Sequence, residues 1–266
     1  MKLLKYMRAK KSLGQNFLKS EMILRKITEA GNIKKDDIIL EIGPGRGALT
    51  KQLLASGCQL IAVEKDRELV EFLKQKFKKE IEDKKLILVQ GDILDFEVAN
   101  CKPLTKSYKL IANIPYNITG SILKKFLTGK NQPENMILMV QHEVAARILA
   151  RDGKESILSI SVKAYGTPKM IAKVDKRYFS PAPKINSAII EIKDISRKIF
   201  KDNGVNEEKF WEIVKKGFAH KRKKLSSNLK YGGISSVFSQ KDSLAFLKNK
   251  RAENLPLESW IALAKL

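Results

Sequence analysis

The chain has 266 residues and is 43% hydrophobic, enough for one large domain or one domain with a smaller companion, and this composition excludes a disordered or fibrous chain. Its formal charge of +23 points to a polyanionic partner, nucleic acid or an anionic membrane surface, although a solvated lysine-rich surface is the alternative. No run reaches the roughly 18 apolar residues of a membrane-spanning helix, and Met1–Tyr6 lacks the apolar core of a secretion signal. Cys58 and Cys101 match no metal-ligand spacing, so a cytoplasmic protein without a metal is expected.

The first eleven residues carry five basic side chains and no acid, which reads as a basic arm leading into Ser12-Leu13-Gly14-Gln15-Asn16-Phe17-Leu18. A helix is predicted over 21–30, with Ile23, Leu24 and Ile27 on one face. Ile38–Ile42 is the first strand, followed directly by Gly43-Pro44-Gly45-Arg46-Gly47 and a helix over about 48–56. Strand, helix and strand then alternate: Gln59–Val63 ending at Glu64, a helix over about 66–79, and Leu86–Val89 ending at Gly91-Asp92. Tyr108–Ala112, a helix near 119–128, Met136–Val140 and a helix near 143–149 continue the series.

Strands alternating with helices predict right-handed βαβ units and a parallel sheet, and nearly all-apolar strands suit a sheet covered on both faces. A helix near 157–165 and two strand-like runs, Met170–Val174 and Ile185–Ile192, suggest an antiparallel finish. From about Ile195 the pattern changes to short helices, interrupted by Gly232-Gly233 and Pro256. The expected organisation is a catalytic domain over 1–194, with a basic arm over 1–19, and a small helical RNA-binding domain over 195–266.

Three features fall at the carboxyl ends of successive strands. The Gly-x-Gly-x-Gly loop lets a ligand approach the backbone, although a tight turn is an equally simple reading of it alone. It lacks both the dinucleotide spacing and the Gly-Lys-Ser or Gly-Lys-Thr ending of a phosphate loop. Glu64 can accept both hydroxyls of a ribose, and Asp92 can accept from an adenine amine. Together they suit S-adenosylmethionine, whose sulfonium needs no phosphate site.

The fourth strand stops at Asn113-Ile114-Pro115-Tyr116. Pro115 cannot donate to a sheet, and Ile114 before it is held extended. The corner carries acceptors and an aromatic face, the groups needed to hold an amine-bearing base; a strand-ending turn is the plainer reading. Neither Cys58 nor Cys101 follows a proline, which disfavours a cysteine-nucleophile methyltransferase, and His142 and His220 have no evident catalytic context.

Glu41-Ile42-Gly43-Pro44-Gly45, Glu64, Gly91-Asp92 and Asn113-Ile114-Pro115-Tyr116 resemble successive motifs of adenine-N6 methyltransferases. Gly14–Leu18, Val140–Ala145 and Phe179–Ser187 narrow this to a resemblance to the KsgA/RsmA family of ribosomal RNA adenine dimethyltransferases, from residue 10 to the end. The related Erm methyltransferases of large-subunit RNA share the corner and a similar Phe-x-Pro-x-Pro-Lys stretch. Lys221-Arg222-Lys223-Lys224-Leu225 with Asn228-Leu229, and Arg251–Leu255, resemble the small-subunit family, with Lys and Ser in place of some of its residues.

The resemblance implies a Rossmann-like α/β methyltransferase sheet with a small all-α C-terminal domain. It implies a reaction yielding S-adenosylhomocysteine and dimethylated adenosines in a hairpin loop near the 3′ end of 16S RNA, within a 30S precursor, by a monomer. Cofactor contacts are expected from Gln15, Asn16, Leu18, Gly43, Gly45, Glu64, Lys65, Asp92, Ile93 and Asn113. Asn113, Ile114, Pro115 and Tyr116 would hold the base, with Phe179 covering its other side or else serving as a core aromatic. Lys10, Lys11, Lys221, Arg222, Lys223 and Lys224 are the expected RNA contacts. Two alternatives remain: an Erm-type enzyme acting on 23S RNA, and a methyltransferase-fold nucleic-acid-binding factor without catalysis.

Overall fold

The computed structural model describes residues 9–234, 247 and 249–266. The chain divides into two compact units. One holds the described residues up to Ala145 together with Pro168–Ile195, and the other holds Ala146–Thr167 and Ser196–Leu266. Packing thus groups residues 146–167 with the C-terminal residues, whereas chain order alone groups them with the preceding strands.

In the first unit, a two-residue strand β1 (Phe17–Leu18) precedes helix α1 (Glu21–Ala30). Then follow β2 (Ile38–Ile42), α2 (Ala48–Ala55), β3 (Gln59–Glu64), α3 (Arg67–Lys76), α4 (Lys78–Glu82) and β4 (Leu86–Gln90). After these come β5 (Lys109–Asn113), α5 (Thr119–Thr128), β6 (Asn135–Gln141) and α6 (His142–Leu149), the last running into the second unit. After α7 (Ile157–Lys163) come β7 (Thr167–Val174), the two-residue strand β8 (Phe179–Ser180) and β9 (Ser187–Lys193).

Seven strands form the main sheet in the order β4-β3-β2-β5-β6-β9-β7. Pairing is parallel from β4 to β6 and antiparallel between β6 and β9. Strand order reverses between β2 and β5, the topological switch point at which α/β sheets open a crevice at their carboxyl ends. The ladders differ in length on the two sides of β2. Strands β2 and β3 stay paired to Ile42 and Val63, but β2 and β5 pair only at Ile39–Lys109 and Leu40–Leu110.

The helix predicted over 66–79 is two helices, broken at Phe77, whose φ of −114° and ψ of 31° leave the helical region. No Gly or Pro marks the break in sequence. Its cause is tertiary: the Phe77 ring is buried in the core, beneath the glycine loop. A second surprise is the pair β1–β8, an antiparallel ladder joining Phe17 to Ser180 and Leu18 to Phe179. Two residues are too few for a periodic pattern, so neither strand was legible.

The second unit contains α7, α8 (Lys198–Asn203), α9 (Glu207–Gly217), α10 (Leu225–Tyr231) and α11 (Leu257–Ala264). Its core includes buried Trp260, which leaves no space for a side chain at Gly217. The Lys221–Lys224 run is a fully exposed turn between α9 and α10, not a helix face. Buried Asn228 anchors that turn, donating to the Gly217 carbonyl at 2.6 Å and the His220 carbonyl at 3.1 Å. Among the described residues, no helix is long and apolar enough to cross a membrane, and no cluster of His, Cys, Asp or Glu could hold a metal.

Candidate active site

A cavity of about 450 Å³ lies in the first unit, at the carboxyl ends of β2 to β5. Its wall includes the glycine loop, Glu64, Lys65, Asp92, Ile93, the corner from Asn113 to Tyr116, and Gln15 to Leu18. The structure therefore brings together every expected cofactor residue, and all four corner residues, around one space.

The glycines of the loop serve different ends. Gly43, Gly45 and Gly47 all have positive φ, between 58° and 72°. A Cβ on Gly43 would meet nothing within 4 Å, so its missing side chain leaves room for a ligand. A Cβ on Gly47 would lie 2.5 Å from the Phe77 ring, so that glycine serves packing.

Glu64 is buried at the end of β3, with both carboxylate oxygens held by backbone N–H groups. Gly45 N–H donates to Oε2 at 3.0 Å and Asp66 N–H donates to Oε1 at 2.9 Å. Burial pushes its pKa up, and these hydrogen bonds pull against that shift. Each oxygen keeps a second lone pair, so a rigid two-acceptor fork remains for a diol.

Asp92 accepts from Leu94 N–H through Oδ1 at 2.9 Å and pairs with Lys65 Nζ through Oδ2 at 2.7 Å. The Lys65 ammonium holds this carboxyl below the usual carboxylate range. Lys65 thus acts on the site through Asp92, and its side chain is exposed enough to swing aside. Ile93 is buried against the same wall.

The corner is oriented by its neighbours. Asn113 Nδ2 donates to the Asn16 carbonyl at 3.2 Å, which leaves the amide oxygen as the acceptor. Pro115 has φ −60° and ψ 129°, so the chain stays extended before the turn at Tyr116–Ile118. The Tyr116 hydroxyl lies 2.6 Å from Ser187 Oγ, and burial raises its pKa, keeping it a neutral phenol. Ser187 is fully buried on β9, and nothing local in the Phe179–Ser187 stretch marks it as the partner of Tyr116.

Not all expected residues sit on the wall. Phe179 is 2% exposed and packs in the core, while its neighbour Ser180 lines the cavity. Burial beside Leu18 through the β1–β8 ladder accounts for this placement. Phe17 does line the cavity, as Tyr116 does, with the Arg46 guanidinium 4.5 Å from the Phe17 centroid. Lys10, expected at RNA, has its ammonium paired with Asp66 at 2.8 Å and Glu68 at 3.1 Å. Lys11 is exposed, and residues 1–8 of the basic arm lie outside the described residues. Cys58 is buried, with its thiol pushed up to about 11, so it is no nucleophile.

Glu41 is a wall residue to which sequence reasoning gave no role. It is 1% exposed, it accepts from Thr50 Oγ1 at 2.8 Å, and burial pushes its pKa up to about 8. An acid inside Ile-Ile-Leu-Glu-Ile was the available signal. The folded state keeps this proton up to about pH 8, whereas the unfolded chain releases it near the ordinary value of 4.5. Stability is therefore lost as pH rises between those values, by at most about 1.4 kcal/mol per pH unit. Glu41→Gln should raise the melting temperature by an increment that grows from pH 5 to pH 8; a pH-independent increment would refute the burial account.

Residues 6–266 match the family described as Ribosomal RNA adenine dimethylase. This chain belongs to that family. The dimethylase is 39% identical over 257 residues to the Ribosomal RNA small subunit methyltransferase A of Dehalococcoides mccartyi, covering 96% of this chain and 87% of the relative. Among solved structures, the dimethylase resembles a dimethyladenosine transferase from Plasmodium falciparum, with a TM-score of 0.78 and 26% identity over 93% of this chain and 95% of that one. It also shares the fold of the 23S rRNA methyltransferase ErmE, with a TM-score of 0.72 and 23% identity over 94% and 98% of the two chains. The sequence resemblance to ribosomal RNA adenine dimethyltransferases and the Rossmann-like methyltransferase fold are both borne out. The dimethylase is an enzyme of ribosomal RNA, and its cavity combines open space at Gly43 with the acceptor fork of Glu64.

Proposed function

We propose that this dimethylase transfers methyl groups from S-adenosylmethionine to the N6 amines of two adjacent adenosines in a hairpin loop near the 3′ end of 16S RNA. We take its substrate to be a 30S precursor particle, and its working form to be a cytoplasmic monomer. The observation that carries this reading is the Asn113 amide, fixed by Asn16 with its oxygen left as acceptor, on the wall that also holds Gly43 and Glu64.

An adenine N6 lone pair is delocalised into the ring, so the amine is a poor nucleophile. Asn113 Oδ1 and the Ile114 carbonyl accept hydrogen bonds from its N–H groups and turn the lone pair out of the ring plane, and the proton that each methyl displaces passes to solvent. Tyr116 offers a face for stacking, worth about 1–3 kcal/mol per base, which helps hold an adenine out of its RNA stack. Bound S-adenosylmethionine supplies a sulfonium-activated methyl, so the protein's task is mostly alignment, and the chemistry calls for neither a metal nor a strong base. Gly43, Gly45, Glu64, Asp92 and Ile93 hold the donor beside the corner in this reading, with Asn16 and Leu18 closing one side. Phe179 contributes as a core support beneath that wall.

The small-subunit reading rests on the names of the relatives at 36–39% identity. Likeness to ErmE, at 23% identity, speaks for the fold alone. The deciding experiment offers small and large subunits, each lacking its modification, with labelled S-adenosylmethionine. Label in small-subunit RNA, with dimethyladenosine on mass analysis of the nucleosides, is expected. Label confined to the large subunit would reverse the choice, and no label on either would favour a binding factor.

The exposed Lys221–Lys224 turn supplies phosphate contacts in this proposal, as Lys11 does from the arm. Phosphate contacts release counterions, so affinity should fall steeply with salt. Removing the charges of Lys221 and Arg222 should weaken binding to any RNA and reduce the logarithmic salt slope by about one for each phosphate no longer neutralised. An unchanged slope in filter-binding titrations would remove this turn from the interface.

A further inference from the structure

Asp66 stands outside the expected site, yet it is the node between the cofactor acid and the N-terminal segment. It is 5% exposed, and a buried carboxylate is stable only when its oxygens are partnered. Its Oδ1 receives Lys10 Nζ at 2.8 Å and Glu68 N–H at 3.1 Å, and its Oδ2 receives Gln15 Nε2 at 2.9 Å. Two of these three donors come from more than fifty residues earlier in the chain. Gln15 Oε1 in turn accepts the Lys10 backbone N–H at 2.8 Å, which closes a ring of three residues. Through its own N–H, Asp66 also holds Glu64 Oε1 at 2.9 Å.

Gln15 spends both ends of its amide on this ring, so holding the segment, more than touching a ligand, is its evident work. Beyond Gln15 the same segment supplies the Asn16 carbonyl that orients Asn113, and Phe17 on the cavity wall. One carboxylate therefore sets the place of the ribose acid and, through the segment, of the base-holding amide. As N-cap of α3 it has a structural duty too, but that duty needs only a side-chain acceptor.

We infer that Asp66 is a positioning residue for methyl transfer, clasping the Lys10–Leu18 segment over the donor cavity through Lys10 and Gln15. The inference rests on the reading of this cavity as the S-adenosylmethionine site. Asp66→Asn separates the two duties, since Asn caps a helix as well as Asp but cannot pair with the ammonium while also accepting from Gln15.

The test measures S-adenosylmethionine binding by calorimetry, steady-state rates, and trypsin cleavage after Lys11, in wild type, Asp66→Asn, Lys10→Met and the double variant. Each single variant should weaken binding about tenfold, as loss of a charge-assisted hydrogen bond does. The KM for the donor should rise, kcat should fall because the same segment orients Asn113, and cleavage after Lys11 should quicken while other sites hold. The double variant should be no worse than the poorer single, because both cut one clasp. Unchanged affinity and unchanged cleavage after Lys11, or additive losses, would overturn the inference. Should Asp66→Asn fail to fold, Lys10→Met, altered at a partly exposed ammonium, decides alone by the same readouts. Wild type that binds no S-adenosylmethionine would overturn the cavity reading itself, and the clasp with it.

Discussion

Asn113→Ala is expected to abolish measurable methyl transfer while leaving a folded protein that still binds S-adenosylmethionine. The alanine removes the oxygen that accepts an amine proton, and nothing else at the end of β5 offers a side-chain acceptor in that place. Loss of one hydrogen-bonding group aimed at a reacting centre costs about 10²–10³-fold in kcat. Here the loss should be at least that large, because Asn113 also ties the corner to the Asn16 carbonyl at 3.2 Å. Single-turnover assays with RNA and labelled donor, beside calorimetric donor binding, separate the effects. A variant that turns over within about tenfold of wild type would refute the proposed role. A variant that loses donor binding to the same extent as turnover would instead mark Asn113 as part of the donor site alone.

The second large effect is expected at Glu64. In Glu64→Gln the amide NH₂ must face one of the two backbone donors, Gly45 N–H or Asp66 N–H, that now hold the carboxylate. One buried donor loses its partner, a cost of about 1–3 kcal/mol, and the fork keeps one acceptor where the proposed ribose contact uses two. Affinity for S-adenosylmethionine should fall about 10- to 100-fold. Stability without donor should change far less, because burial already penalises the charged carboxylate and the substitution relieves that penalty. Thermal melts with and without donor give the contrast: the donor-dependent rise seen in wild type should be nearly absent in the variant. An undiminished rise would remove Glu64 from the donor site.

Both effects concern residues that were visible before any fold was known, for a common reason. Apolar strands broken by chemistry-bearing residues are local patterns. In a parallel sheet, the ends of adjacent strands fall together without further instruction. Glu64 and Asp92 end neighbouring strands β3 and β4, and Asn113 ends β5 across the switch point, so strand-end position alone predicted their company. The limits of the regular elements were also local: α1 begins and ends as its apolar stripe requires.

What escaped sequence reasoning depends on partners distant in the chain. The Phe77 break arises from a ring packed beneath Gly47. The charge of Lys10 is plain in the sequence, but its partner Asp66, fifty-six residues on, is not. Lys65 lines the cavity as expected, and its pairing with Asp92 is the part that the sequence did not show. Phe179 has the composition of a stacking residue, but the pairing of its short strand with Phe17–Leu18 turns the ring into the core.

The methyltransferase reading comes from the resemblance of the motifs to a known family, while the sequence read alone determines a mostly parallel α/β sheet, two acids and one amide at its strand ends, and a surplus of positive charge suited to a polyanion. These follow from hydrophobic period, turn chemistry and net charge, all of which act over a few residues or over none in particular. The order of the strands, the switch point between β2 and β5, and the clasp from Lys10 and Gln15 to Asp66 appear only in the tertiary structure. Those depend on which buried polar group finds which partner across the chain, and a carboxylate removed from water is satisfied by whatever donor the fold brings to it.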